Sequence, residues 1–393
     1  MLPSSFEFHN PVKIISGYKV LDNLPYELSQ MGAERPLIIT DRGVVEAGLV
    51  RIVRSAFDSS GMTIGAVYDD VPPDSSVDTV NAIADVYRKN QCDSLVAVGG
   101  GSPIDTAKGV NILVSHEKGT LKDYMGADRL SGPLKPLVVV PTTAGTGSEV
   151  TLVAVIADTR DNVKMAFVSR HLMPDVALLD PRMTLTMPAK ITASTGMDAL
   201  SHAMEAWVGL QKNPLSDAHA TAAITLIRHY LPLAIADGKD RTARLALANA
   251  SCMAGAAFSN SMVGMVHALG HAAGAVCHIP HGVAMGIFLP HGLRYNLLKR
   301  ADIIGELLLP FAGADIYAAT PSAQRADRLI ALLVEFQRFL KEKAGLPMRL
   351  KDAGVRDDQL GAIALKAIND GALMMNPAEM DMDDARRLLA EAF

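Results

Sequence analysis

The sequence predicts two domains of different fold class. The first is an α/β domain with a mostly parallel sheet over residues 1–185, and the second is all-helical over residues 186–393. In the first part, short apolar runs alternate with segments of helical apolar spacing, a rhythm typical of parallel strands joined by crossover helices. Beyond residue 185 the apolar residues recur almost only at helical spacing. A chain of 393 residues is long enough for two such domains.

Each predicted element follows from its local pattern. In the first domain, short apolar or alternating runs predict strands at FEFH, VKIIS, PLIIT, TIGAVYD, SLVAVGGG and PLVVVP. Between them, helical spacing predicts helices at KVLDNLPYELSQMG, VVEAGLVRIVRSAFDSS, VDTVNAIADVYRKN and SPIDTAKGVNILVS. In the second domain, helical spacing predicts six helices, at Ala199–Leu210, Leu215–Ala236, Arg241–Ser259, Val263–Val276, Gly282–Leu298 and Ser322–Ala344. Two more helices are expected between the last of these and the end of the chain.

Composition excludes several classes of protein. The formal charge is −5 and no run of Lys or Arg is present, which argues against nucleic-acid binding. The three cysteines, Cys92, Cys252 and Cys277, are widely spaced and form no CxxC pair, so they indicate a reducing compartment rather than a disulfide framework. The N-terminal MLPSSFEFHN lacks the basic and apolar regions of a signal peptide. We therefore expect a cytoplasmic protein.

A long segment from Leu245 to Leu293 contains no Asp, Glu, Lys or Arg. Its most apolar window, Ala246–Val266, still contains two asparagines and three serines, and a membrane-spanning helix needs about 20 predominantly apolar residues. A buried helix within a helical domain is therefore the better interpretation, and no membrane association is expected.

A glycine-rich turn, SLVAVGGGSPIDTAK, joins a predicted strand to a predicted helix. Ser102 is expected to cap that helix, with Pro103 as its first residue and Asp105 completing a capping box. Free amide groups at a helix start attract phosphate, and glycines such as Gly99, Gly100 and Gly101 let it approach the backbone. A plain tight turn is the alternative, but the strand before it and the capped helix after it favour a phosphate site.

Two further features suit a bound nucleotide. The loop PTTAGTGSEVT also follows an apolar strand and provides hydroxyl groups for a sugar or an amide, at Thr142, Thr143, Thr146, Ser148 and Thr151. Asp41 closes the strand PLIIT, where a carboxylate can accept hydrogen bonds from a ribose diol and repel a 2′-phosphate, so it favours NAD over NADP. Asp41 could equally be only the N-cap of the next helix.

Eight of the eleven histidines lie between His202 and His291, largely in the uncharged part of the chain. Asp198 and His202 are four residues apart and share one helix face, as do His267 and His271. His281 follows a proline, and His278 is a competing candidate. A carboxylate and several imidazoles in an apolar setting indicate one divalent metal, although a lone Asp-x-x-x-His pair is more often a surface ion pair.

Five motifs in this order resemble the iron-containing (group III) alcohol dehydrogenases: GGGSPIDTAK, PTTAGTGSE, GMDALSHAMEAW, HALGHAAG and IPHG. The resemblance covers essentially the full chain, including a closing Asn-Pro in NPAEMDMDDARRLL. It implies a dinucleotide-binding α/β domain and a helical metal-binding domain with the active site in the cleft between them. One departure is Met285-Gly286, where the family has Asn-Ala after the last metal ligand.

The resemblance also implies roles for individual residues. Asp198, His202, His267 and His281 would bind the metal, and His271 would lie beside the nicotinamide. Lys164 would reach the nicotinamide ribose. The glycine turn with Ser102 would hold the pyrophosphate, Asp41 the adenosine ribose, and Thr142 and Thr143 would line the cofactor.

The implied activity is hydride transfer between NAD and a small primary alcohol or aldehyde. One carboxylate and three imidazoles suit Fe²⁺, with Zn²⁺ as a competitor, and the metal would polarise the substrate oxygen. His271 is the candidate proton relay, because imidazole titrates near neutral pH. Rival activities are a diol, glycerol or hydroxyacid dehydrogenase, a dehydroquinate synthase-like lyase, and a non-catalytic nucleotide- or metal-binding protein. A homodimer or larger homo-oligomer is expected.

Overall fold

A computed structural model describes residues 3–116, 118–159 and 163–393. The chain forms two compact units, one spanning His9–Thr186 and the other Met187–Phe393 together with the N-terminal segment that ends at Phe8. The sequence placed that segment in the α/β domain. It belongs instead with the helical unit, where the ring of Phe8 stacks on His219 with 5.6 Å between centroids.

The first unit is built on a six-stranded sheet in which every pairing is parallel. Its strands are β1 (Lys13–Ser16), β2 (Pro36–Ile39), β3 (Ala66–Tyr68), β4 (Ser94–Gly99), β6 (Leu137–Pro141) and β9 (Val176–Leu179). Their order across the sheet is β1-β9-β6-β4-β2-β3. β2 therefore has β3 on one side and β4 on the other, so the direction of winding reverses between β2 and β4. In open parallel sheets, ligands bind at the carboxyl ends of strands beside such a switch point.

Helices on this sheet follow the predicted rhythm, with differences in detail. They are α1 (Leu24–Gln30), α2 (Arg42–Glu46), α3 (Leu49–Ser55), α4 (Val77–Lys89) and α5 (Gly101–Ser115). The helix predicted from VVEAGLVRIVRSAFDSS is divided into α2 and α3, because Gly48 between them has φ of 76°, which ends a right-handed helix. The predicted strand FEFH is absent, since these residues are not in regular structure.

The capping box predicted at the start of α5 is wrong. The helix begins at Gly101 with Gly100 as its N-cap, so Ser102 is its second residue rather than its cap. The carboxylate of Asp105 turns away from the helix start and accepts a hydrogen bond of 3.0 Å from the Val155 amide. The free amides at this helix start therefore have no side-chain cap of their own.

A second, smaller sheet was not anticipated. Its strands are β5 (Gly126–Ala127), β7 (Val153–Asp158) and β8 (Val163–Val168), in the order β5-β8-β7. β7 and β8 pair in an antiparallel manner, whereas β5 is parallel to β8. Through Val155, Asp105 ties the start of α5 to this sheet.

The second unit is helical throughout the regular structure that is described. Its helices are α6 (Ala189–Val208), α7 (Pro214–Ala236), α8 (Arg241–Ser259), α9 (Met265–Cys277), α10 (His281–Glu306), α11 (Leu308–Ala312), α12 (Ala314–Ala319), α13 (Arg325–Ala344), α14 (Leu360–Ala367) and α15 (Met382–Ala392). α6 begins ten residues before the predicted start, so Asp198 and His202 lie well inside a helix. Among the described residues, no helix combines the length and the hydrophobicity that crossing a bilayer requires.

Candidate metal centre and nucleotide loops

Four side chains from three helices converge in the helical unit. Asp198 and His202 come from the middle of α6, His267 from the first turn of α9, and His281 is the first residue of α10. One ligand atom from each lies within 4.8 Å of the others. Asp198 Oδ1 lies 3.3 Å from His281 Nε2 and 3.8 Å from His202 Nδ1. This is the set that the family resemblance implies, and its carboxylate and imidazoles are ligands that a divalent metal prefers.

Three of these atoms are buried without hydrogen-bond partners among the described residues: Asp198 Oδ1, His202 Nδ1 and His267 Nε2. Buried polar atoms are almost always hydrogen-bonded, so three unpartnered ones facing a common point indicate a binding site for a ligand. Their chemistry fits a cation, because one is a carboxylate oxygen and two are nitrogens of imidazole rings, which bind metal ions in the neutral form. The donor set therefore fits one divalent metal ion.

The electrostatics of the cluster keep these groups in the forms that bind a metal. Burial lowers the pKa of His202 to about 3, and it also lowers the pKa of His267 well below the usual value, so both rings are neutral. Burial alone would raise the pKa of Asp198, but the adjacent His202 and His281 outweigh it and hold that pKa below its usual range. One carboxylate anion and neutral imidazoles are thus available together.

The position of His281 depends on a close contact between α10 and α6. Pro280 precedes the helix as its N-cap, and Gly282 follows His281. A Cβ atom on Gly282 would lie 2.3 Å from the carbonyl oxygen of Ser194 in α6. Only glycine therefore lets the start of α10 approach the helix that carries Asp198 and His202.

An aromatic ring packs against one of the proposed ligands. The ring of Phe258, from the end of α8, stacks on His202 with 4.2 Å between centroids. Met262 has a left-handed backbone, with φ of 64°, in the turn before α9. Met265, the first residue of α9, is fully buried.

His271 lies next to the cluster but outside it. Its ring is stacked on His281 with 5.5 Å between centroids, and its side chain is 46% exposed. Nδ1 of His271 lies 3.0 Å from Oδ2 of Asp370, so a carboxylate orients the ring. His278, the competing ligand candidate, instead ends α9 in a left-handed conformation with φ of 56° and is not part of the four-residue group.

Sequence reasoning missed two carboxylates beside this centre. Asp370 contacts His271 from the loop after α14, about 100 residues further along the chain, and no local pattern marks it. Glu205 lies three residues after His202 on α6, is buried, and its Oε2 contacts Nδ1 of His267. The signal available in the sequence was an acidic residue one helical turn after a candidate ligand, in HAMEAW. Burial raises the pKa of Glu205 to about 7, against the lowering effect of backbone hydrogen bonds from Val266 and Gly264.

In the α/β unit, the two predicted nucleotide loops lie at the carboxyl ends of neighbouring strands. Gly99 ends β4 beside Pro141, which ends β6. The glycines leave room for close packing: a Cβ on Gly100 would lie 3.1 Å from Thr143 Oγ1, and one on Gly101 would lie 3.2 Å from Thr146 Cγ2. Both loops flank the start of α5, next to the switch point between β2 and β4.

Other predicted cofactor residues have partners within the protein. Asp41 is the N-cap of α2, where its Oδ1 accepts from the Val44 amide at 2.9 Å. Lys164 forms an exposed ion pair of 2.8 Å with Asp74.

Thr151 is buried, and its hydroxyl and carbonyl oxygens accept hydrogen bonds from Lys108. Lys108 Nζ donates to Thr151 O at 2.7 Å, to Thr151 Oγ1 at 3.1 Å and to Val153 O at 2.8 Å. Burial lowers the pKa of Lys108 to about 8. Nearby Ser148 is also buried, whereas Thr142 ends the short link from β6, its amide donating to Gly99 O at 2.9 Å. Lys108 therefore fastens the second loop to α5.

Comparisons with known proteins agree with this fold. The family model described as iron-containing alcohol dehydrogenase matches residues 11–181, and that of the C-terminal part of the same family matches residues 192–393. An NAD-dependent methanol dehydrogenase from Bacillus methanolicus is 35% identical over 98% of this chain and 99% of its own. A 1,3-propanediol dehydrogenase from Citrobacter freundii is 38% identical over 92% of each chain.

Solved structures give the same result. A 1,3-propanediol oxidoreductase superimposes with a TM-score of 0.94 at 35% identity, covering 99% of this chain and 100% of its own. An alcohol dehydrogenase from Oenococcus oeni gives a TM-score of 0.92 at 31% identity, with the same coverage. A parallel-sheet unit and a helical unit with a buried Asp/His cluster define the class. The chain belongs to the iron-containing alcohol dehydrogenase family, and it is an oxidoreductase of small alcohols.

Proposed function

We propose that this protein transfers a hydride between NAD and a small primary alcohol or aldehyde, with one divalent metal bound by Asp198, His202, His267 and His281. The observation that carries the proposal is the convergence of these four side chains with three buried, unpartnered ligand atoms. When bound, the metal acts as a Lewis acid that polarises the substrate oxygen, and NAD accepts or supplies the hydride. In the oxidation direction, one alcohol and NAD⁺ give one aldehyde, NADH and a proton.

Fe²⁺ is the proposed metal and Zn²⁺ is its competitor. A set of one carboxylate and three imidazoles suits Fe²⁺, while affinity trends let Zn²⁺ compete for the same nitrogen and oxygen ligands. The partly exposed side chain of His281, at 40%, supports an approach for substrate from that side of the cluster. Phe258 supports an apolar wall behind His202, which suits a small, uncharged substrate.

NAD is proposed to bind over the α/β unit, with its pyrophosphate at Gly99, Gly100, Gly101 and Ser102. The location of this turn beside the switch point and the uncapped amides at the start of α5 support the proposal. Asp41 is proposed to accept from the adenosine ribose through the carboxylate oxygen that does not cap α2, which would disfavour NADP.

The remaining cofactor assignments are also proposals. Thr142, Thr143 and Thr146 would present hydroxyl groups beside the glycine turn, since two of them already pack against its glycines. Lys164 would have to exchange its exposed partner Asp74 for a ribose hydroxyl. Ser148 and Thr151 are buried, so their contribution would be to shape the loop.

His271 is proposed to relay the proton released from the alcohol. It is partly exposed, it stacks on the proposed ligand His281, and Asp370 holds its Nδ1, which leaves Nε2 available. His271→Ala should keep the metal while lowering kcat and altering the pH profile of the reaction. An unchanged pH profile would reject the relay and leave His271 as a packing residue.

The direct test is an NADH absorbance assay with short alcohols and aldehydes on chelator-treated and metal-reconstituted protein. We expect the wild type to turn over substrate only after metal reconstitution. His267→Ala should show no turnover in either the chelated or the reconstituted sample. Equal activity in chelated and reconstituted samples would contradict a metal-dependent reaction.

A small diol is the second candidate substrate. The similarity to two 1,3-propanediol dehydrogenases at 37% and 38% identity favours it. Comparing kcat/KM for 1-propanol and 1,3-propanediol under the same conditions distinguishes the two proposals. A preference of tenfold or more for the diol would favour the second.

A cytoplasmic homodimer or larger homo-oligomer is proposed for the assembled protein. The edge strand β1 with its exposed Ile14 supports self-association, because an unpaired sheet edge can pair with a second copy. The three free cysteines support a reducing compartment. Light scattering on the eluting peak of a size-exclusion column tests the oligomer, and a single-chain mass would refute it.

A further inference from the structure

The helix that carries His267 begins without a cap of its own. The residue before α9 is Gly264, which has no side chain and no capping hydrogen bond. The first four amides of any helix lack partners inside the helix, and burial makes that costly. Met265 and Val266, the first two residues of α9, are both buried. Their amides must therefore find acceptors elsewhere in the chain.

Two side chains that are distant in sequence supply those acceptors. Oε1 of Glu205, from α6, accepts from the Val266 amide at 2.8 Å, and Oδ1 of Asn376 accepts from the Met265 amide at 3.1 Å. Glycine at position 264 makes this possible, since a Cβ there would lie 2.7 Å from Asn376 Oδ1 and 3.1 Å from Glu205 Oε1.

Asn376 is itself held rigidly by a buried amide pair. Its Nδ2 donates to Asn296 Oδ1 at 3.0 Å and to Ala378 O at 2.7 Å, and Asn296 Nδ2 donates back to Asn376 Oδ1 at 3.0 Å. Both side chains are buried. The asparagine of the Asn-Pro near the end of the chain therefore caps the start of α9, which lies more than 100 residues earlier in the sequence.

The second oxygen of Glu205 reaches the metal centre. While Oε1 caps α9, Oε2 contacts Nδ1 of His267. When Glu205 is ionised, its Oε2 can only accept, so Nδ1 of His267 then carries the ring proton and Nε2 keeps its lone pair. Nε2 of His267 is one of the three buried atoms that have no hydrogen-bond partner among the described residues. One carboxylate thus fixes both the helix start and the tautomer of the ring.

We propose that Glu205 is a positioning residue for the metal centre: with Asn376 and Asn296 it caps α9 and holds His267 with Nε2 directed to the metal. The proposal rests on the proposed metal site. Hydrogen-bond partners of this kind orient ligand rings, and their loss typically costs 10- to 100-fold in metal affinity.

Glu205→Gln separates the two tasks of this side chain. The amide keeps the shape and can still accept from Val266 with its oxygen, but it then presents NH₂ to Nδ1 of His267. The ring must respond by accepting at Nδ1, which moves its proton to Nε2 and blocks metal binding. We expect Co²⁺ affinity to fall by about 10- to 100-fold, with the melting temperature of the metal-free protein lowered by no more than about 4 °C.

Asp240→Asn is the matched control. Asp240 caps α8 by accepting from the amides of Thr242 and Ala243, and asparagine is an equally good N-cap. This variant also removes one carboxylate from a helix N-terminus in the same unit, but it touches no proposed ligand. Its Co²⁺ affinity and absorption spectrum should equal those of the wild type.

Asn376→Ala is the second variant. It removes the Met265 cap and leaves Glu205 on His267, so it should lower the melting temperature more than Glu205→Gln does while reducing Co²⁺ affinity less. If both variants lose affinity in proportion to their loss of stability, Glu205 is only a structural cap and the proposal is overturned.

The measurement is competitive titration of metal-free protein with Co²⁺, followed by visible absorption and calorimetry. Wild-type affinity and an unchanged Co²⁺ spectrum for Glu205→Gln would overturn the proposal. Failure of the proposed metal site itself has a different signature, because the wild type would then bind no Co²⁺ with this spectrum and His267→Ala would behave like the wild type.

Discussion

Replacing Gly282 by alanine should move His281 away from the other three proposed ligands. The added Cβ would lie 2.3 Å from the Ser194 carbonyl oxygen and 2.7 Å from its carbon, and both atoms belong to the backbone of α6. Ordinary van der Waals contact begins at 3.4 Å. The start of α10 must therefore shift by roughly 1 Å, and overpacking of this kind costs about 1–3 kcal/mol of unfolding free energy.

A shift of that size matters because metal–ligand distances tolerate only about ±0.2 Å. His281 is bonded directly to Gly282 in the chain, so its ring cannot stay in place while the helix start moves. We expect Gly282→Ala to weaken Zn²⁺ or Co²⁺ binding by at least tenfold. The assay is metal titration by calorimetry together with denaturant unfolding of the metal-free protein.

Gly286→Ala is the internal control, one turn further along α10. A Cβ there would lie 3.5 Å from Met197 Cβ and 3.7 Å from Leu346 Cδ2, which is ordinary contact. Alanine within a helix should raise stability by about 0.5–1 kcal/mol, with no effect on metal affinity. Equal metal affinity for Gly282→Ala and Gly286→Ala would refute the reasoning that the Gly282 contact positions His281.

Three further predictions concern other parts of the molecule. His267→Ala should remove the metal, and full metal occupancy measured by mass spectrometry would take His267 out of the ligand set. Lys108→Met should leave the Thr151 and Val153 carbonyls without their donor, at a cost of about 1–3 kcal/mol of unfolding free energy each, and it should weaken NADH binding measured by fluorescence. Unchanged stability and binding would contradict the role of Lys108 in fastening the second loop to α5. Burial raises the pKa of Glu149 to about 7, so the stability that the protonated side chain contributes is full below the unfolded pKa of about 4.5 and is lost as pH rises through 7. The unfolding free energy of Glu149→Gln should therefore rise by about 1–3 kcal/mol relative to that of the wild type between pH 4.5 and 8. Denaturant curves that give the same difference between variant and wild type at every pH would refute this.

Local sequence patterns predicted the α/β fold and the two nucleotide loops well, because strand periodicity and glycine turns are short-range signals. β4, for example, is a continuous apolar run that ends in glycines, and all six of its residues are buried. The small β5-β8-β7 sheet was not predicted because its two six-residue strands, β7 and β8, pair with each other outside the helix-strand alternation. Its third strand, β5, has only two residues. The capping box at α5 failed because the Val155 amide competes for the Asp105 carboxylate, a contact 50 residues away in sequence.

The metal cluster could be predicted only in part. Spacing placed Asp198 with His202 on one helix face, but the family resemblance was needed to choose His281 over His278. The structure distinguishes these two by backbone conformation, since His278 ends α9 while His281 begins α10. Glu205 was missed because its two contacts, with the Val266 amide and the His267 ring, are to another helix. No spacing rule predicts which residues of α6 lie against α9.

The most direct test of the account is a crystal structure of the metal-loaded protein with anomalous diffraction at the Fe or Zn absorption edge. We predict one anomalous peak per chain, within about 2.0–2.2 Å of Asp198 Oδ1, His202 Nδ1, His267 Nε2 and a ring nitrogen of His281. A peak elsewhere, or one that leaves any of these four side chains unbound, would contradict it.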